Sequence, residues 1–144
     1  MAKDIRECLL EQARKFHQWQ EITYPGKNTE EIGGEWEVDY PAWNDIFDAF
    51  CHVLTQMDAE TADSVLLDEM VYLIARDNEA EGVIQETTSH PQWFECLCRR
   101  AVASNENEAK WQFAAYLPEC SCSQEVRDII LDFAKDPNEY VLSL

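Results

Sequence analysis

From Pro91 to the end of the chain, apolar residues recur every three to four positions, and short polar turns interrupt them. Phe94, Leu97, Cys98, Ala101 and Val102 make one such face; Ala109, Phe113, Tyr116 and Leu117 make the next; Val126, Ile129, Ile130 and Phe133 make a third. That period belongs to amphipathic helices and to no other regular structure. The polar turns end at Ala80, Ala109 and Val141, about 30 residues apart, a spacing used by helical solenoid repeats. A chain written this way is confined to helices that hide one stripe each against a neighbour.

The first half follows the same rule. Ile5, Leu9, Ala13 and Phe16 predict a helix over residues 3–21, ended by Tyr24-Pro25-Gly26. Trp43, Ile46, Phe47, Phe50, Val53, Leu54 and Met57 predict another over 41–57, with Pro41 at its first position. Leu66, Met70, Leu73 and Ile74 carry a helix over about 61–76, for which Asp58, Thr61 and Asp63 are candidate caps. A shorter helix is expected around 79–88, its apolar face reduced to Val83 and Ile84. His90-Pro91, Asn105 with Glu108, Ser121 with Gln124, and Asp136-Pro137-Asn138-Glu139 read as further helix starts. Only a weak alternation from Glu35 to Tyr40 resembles a strand. The fold class is therefore all-α, a single domain over 1–144 of stacked antiparallel helical hairpins, with about seven or eight helices.

Between the first two helices lies the longest irregular segment, residues 25–40. It concentrates Glu30, Glu31, Glu35, Glu37 and Asp39 around Trp36. A loop of that length in a small domain is a candidate binding element. The short polar helix adds Glu81 and Glu86. Together these eight residues form the expected partner-binding set.

Charge narrows the partner. The chain has 29 acidic and 11 basic residues, a net charge of -18. Nucleic acid and anionic membrane surfaces would be repelled, and a basic protein would be attracted. No apolar run approaches the roughly 20 residues that span a bilayer, and the N-terminus has no signal core, so a cytoplasmic protein is expected. Cys8, Cys51, Cys96 and Cys98 then read as reduced thiols inside helices. The pairs Cys96/Cys98 and Cys120/Cys122 are too closely spaced for the common zinc patterns. His17, His52 and His90 have no nucleophile partner in sequence, and four glycines are too few for a phosphate loop. No metal, no cofactor and no enzymatic activity are expected.

The pattern over residues 75–144 resembles HEAT-like helical repeats. Asp136 to Val141 fits the family's inter-helix turn, with Leu142 where the family usually has Arg. Ala109-Lys110 with Ala114-Ala115 matches its second helix with Lys for Arg, and Val126-Arg127 supplies the Val-Arg pair at the start of the other helix class. The resemblance implies a right-handed α-solenoid that binds proteins. For so small and acidic a chain it implies an immunity-type inhibitor that blocks a basic bacterial toxin, such as a nuclease. The alternative it leaves open is an adaptor that holds a peptide or helix along its concave face.

Overall fold

The computed structural model describes residues 4–26, 40–77, 82–104, 106–117, 120 and 123–134. Among these residues the regular structure is all helical, without a strand. The helices are α1 (Ile5–Thr23), α2 (Trp43–Gln56), α3 (Ser64–Arg76), α4 (Gly82–Thr87), α5 (Pro91–Val102), α6 (Asn107–Tyr116) and α7 (Gln124–Ala134), with a 3₁₀ turn at Ala59–Thr61 between α2 and α3. The expected final helix after Asp136 and the extended stretch at 35–39 lie outside the described residues.

Helix boundaries follow the chemistry of their ends. The Asp4 side chain accepts from Arg6 N at 2.8 Å and starts α1. Asp63 does the same for α3, accepting from Leu66 N at 3.0 Å; of the three candidate caps it is the one that works as such. After α1, Gly26 takes a φ of 73°, a left-handed turn that a side chain would strain. Pro91 stands in the first turn of α5, directly after His90.

Two expected starts are corrected, and a third holds without its side-chain cap. Pro41 does not open α2; it sits in a turn, and the helix begins at Trp43 after Ala42. His90 occupies the cap position of α5 but its side chain makes no capping bond. The cap residue of α6 is Glu106 rather than Asn105, which lies outside the described residues. There the Ser104 hydroxyl accepts from Glu106 N at 3.1 Å instead. Ser121 is likewise undescribed, and Ser123 Oγ accepts from Val126 N at the start of α7.

One apolar core unites the helices. Phe16, Phe50, Phe94 and Phe113 are its largest fully buried side chains, joined by Leu9, Ile46, Leu66, Met70, Ile74 and Leu97. Phe94 and Phe113 meet edge-on with centroids 5.0 Å apart, locking α5 to α6. At the other end Phe16 is the hub of an aromatic cluster: Tyr40, Trp43, Trp19 and Tyr72 lie 5.0, 5.3, 5.9 and 6.1 Å from it. Helix α3 packs on α1, α4, α5 and α6, and α5 packs on α3, α4, α6, α7 and the 3₁₀ turn.

Candidate protein-binding surface

The aromatic cluster fixes where the acidic segment leaves and rejoins the fold. Tyr24 and Tyr40 flank it, and both rings pack on Trp19, with centroids 6.1 and 5.3 Å away. Tyr40 is only 7% exposed. The segment between them, with Glu30, Glu31, Glu35, Trp36, Glu37 and Asp39, lies outside the described residues, as does Glu81. The two flanks are therefore anchored side by side on one aromatic face.

Glu86 is described and exposed on α4. It faces α2, where Asp48 is also exposed. Both act on Cys51: burial raises its thiol pKa, and the carboxylates of Glu86 and Asp48 push it further in the same direction. One turn back on α2, Asp45 acts on the loop's end. Burial raises the Tyr40 hydroxyl, and the Asp45 charge adds to that. An acidic stripe thus runs from Tyr40 through Asp45 and Asp48 to Glu86. No described cation forms an ion pair with these three carboxylates. Sequence reading missed Asp45 and Asp48, although their place on the polar side of α2 was visible three residues apart.

Every described arginine, in contrast, is engaged inside the chain. Arg6 of α1 grips Asp63 through two hydrogen bonds, Nη2 to Oδ2 at 2.6 Å and Nε to Oδ1 at 3.4 Å. Arg100 of α5 holds Asp68 of α3 in the same forked manner, at 2.6 and 3.0 Å. Arg99 donates to Glu125 of α7 at 2.9 Å. Arg76, 6% exposed, donates to Glu106 at 2.9 Å and lies 5.1 Å above the Tyr72 ring. Arg127 Nη2 donates to the Cys120 carbonyl at 3.1 Å, and Arg14 lies 3.9 Å from Glu11. These bonds lower the pKa of Asp63, Asp68 and Glu125, in each case chiefly through the arginine's hydrogen bond.

A second acidic recess lies between α1, α3 and α6, lined by His17, Asp68, Glu69, Tyr72, Ser104 and Glu106, with a volume of about 360 Å³. Its carboxylates accept hydrogen bonds: Asp68 from Arg100, Glu106 from Arg76 and Glu69 from His17. His17 Nε2 donates to Glu69 at 2.9 Å while its ring stacks on Tyr72 with centroids 4.5 Å apart. The Tyr72 hydroxyl donates to Gln20 at 2.6 Å.

No family model, curated protein or solved structure matches the chain. The reading of this surface therefore rests on its own geometry and charge. Among the described residues, no group of three or more His, Cys, Asp or Glu is placed to hold a metal ion. No described helix is long and apolar enough to cross a membrane. Cys98 and Cys120 are buried, and Cys8, Cys51 and Cys96 are half-buried.

Proposed function

We propose that this chain is a protein-binding inhibitor of a basic partner, an immunity-type protein that covers the active cleft of a bacterial toxin. The observation that carries this is the asymmetry of its charges. Arg6, Arg76, Arg99 and Arg100 are turned onto carboxylates of other elements, while Asp45, Asp48 and Glu86 face solvent with no described counter-charge, in a chain of net charge -18. A surface left acidic in this way accelerates encounter with a positive cleft and repels nucleic acid, so a nuclease is the toxin class it suits best.

The binding surface in this reading is the acidic segment with Glu30, Glu31, Glu35, Trp36, Glu37 and Asp39, together with Glu81, Glu86, Asp45 and Asp48. The shared Trp19 anchor of the segment's flanks and the Tyr40–Asp45 proximity support treating them as one surface. Binding alone is the activity; no reaction, metal or cofactor enters, and the protein acts in the cytoplasm.

A HEAT-like stack belongs to the same reading. Grouping α1 with α2, α3 with α4 and α5 with α6 puts the more extensive helix pairings within one hairpin or between neighbouring ones, α7 beginning the next. Nearest-neighbour packing of that kind is what a helical solenoid requires.

The test is capture on the immobilised chain from a lysate of its source cell, at about 50 and 500 mM NaCl, the range over which screening removes surface attraction. The captured protein is then purified and its activity titrated with the chain. One basic protein, retained at low salt and silenced stoichiometrically, is expected. Several partners without basic character would overturn the inhibitor reading in favour of the adaptor.

A further inference from the structure

The face of α2 that carries Asp45 and Asp48 continues in helical steps past His52 to Thr55, which lines a groove at the end of that helix. The groove has a volume of about 420 Å³, and Leu54, Met57, Ala59 and Trp93 form the apolar part of its lining, beside polar Thr55, Ser89 and His90. Its walls are held rigidly. The Trp93 indole donates to the Met57 carbonyl at 3.0 Å, tying α5 to the C-terminus of α2, and Pro91 fixes the first turn of α5 opposite. A second recess of about 330 Å³ shares Ala59 and Gln92 with the first and extends it along α5 past Glu95 and Cys96.

The rim carries the charge that selects an occupant. Asp58 and Glu60 are exposed on the 3₁₀ side, and Glu95 stands on the α5 side. Arg99, which lines the second recess with Glu60 and Glu95, is held by Glu125 at 2.9 Å. An apolar floor under an acidic rim matches a chain that is basic and carries an apolar side chain at intervals.

We infer that the groove between the α2 C-terminus and α5 receives an extended lysine- and arginine-bearing segment of the partner, which seats one apolar side chain on Met57, Ala59 and Trp93 between Glu60 and Glu95. This rests on the basic-partner reading and adds to it an anchoring point. Charge along Asp45, Asp48 and Glu86 steers the partner, and the groove at the end of the same helix fixes its register. Electrostatics supplies the rate, and burial of the apolar anchor supplies the residence time.

The test is a nuclear magnetic resonance titration of the full, isotope-labelled chain at low salt with three capped octapeptides. One alternates lysine and arginine around a central phenylalanine and leucine, one is all lysine, and one replaces the basic residues with glutamate. Expected are saturable shifts of the Trp93 indole and of amides 57–60 and 92–96 with the first peptide. Binding of the all-lysine peptide should be at least about tenfold weaker, and the glutamate peptide should not bind at up to about 1 mM. Gln92→Arg and Glu60→Lys alter exposed groove positions, so the fold is retained; each should weaken the first peptide about tenfold. Saturable shifts around Asp45, Asp48 and Glu86 with the groove silent would overturn this inference and leave the basic-partner reading standing. Equal binding of the glutamate peptide, or no binding of either basic peptide, would overturn both.

Discussion

Gln112 shows how a single polar side chain joins two helices. It is fully buried on α6, and its Nε2 donates to the Ile74 carbonyl at 2.8 Å. Ile74 lies in the last turn of α3, where carbonyls have no partner within their own helix, so Gln112 acts as a distant cap. Its Oε1 has no hydrogen-bond partner among the described residues. Gln112→Leu would remove that orphaned acceptor and strand the carbonyl. A stranded buried carbonyl costs about 1–3 kcal/mol and the lost orphan returns part of that, so a net loss of about 1–2 kcal/mol is expected in urea unfolding. An unchanged midpoint would mean that the bond contributes nothing. Nothing in the local sequence marks this role: residue 112 reads as an ordinary helical position, and its partner is 38 residues away.

At the scale of elements, the arginine–carboxylate links decide how stability responds to acid. Asp63 joins α3 to α1, Asp68 joins α3 to α5, and Glu125 joins α7 to α5. Each has a folded pKa below its ordinary value. A depressed carboxylate pKa contributes stability above the unfolded value, near 4, and that contribution is lost as pH falls through the folded value. Acid unfolding is therefore expected to steepen below about pH 4, and Asp68→Asn should flatten that limb by removing one link. A variant curve parallel to the parent's would contradict the role of Asp68. The helices themselves were legible in the sequence, because a 3.6-residue apolar period and local caps such as Asp63 and Pro91 are short-range signals. Pro41 misled because a proline before a helix fits the preceding turn as well as the first helical position. Of the proposed partner-binding residues, the exposed Glu86 was legible from charge, whereas its link to Asp45 and Asp48 emerged only once α2 and α4 were seen to pack together, with Glu86 and Asp48 acting on the same thiol.

For the whole molecule, charge is the dominant variable. With -18 net charge and its described arginines engaged internally, the folded chain repels itself. Salt screens that repulsion, while the exposed ion pairs it also weakens contribute little. The melting temperature is expected to rise by about 5 °C or more between 20 and 500 mM NaCl. A fall over that range would mean that the inter-helix pairs outweigh the repulsion. The acidic surface proposed to recruit a partner is tested most directly by the association rate of the captured protein, measured by stopped flow against salt. The rate is expected to fall at least about tenfold between 50 and 500 mM NaCl, with the dissociation rate nearly constant and Asp48→Lys with Glu86→Lys lowering the low-salt rate. A rate indifferent to both salt and these substitutions would contradict electrostatic recruitment.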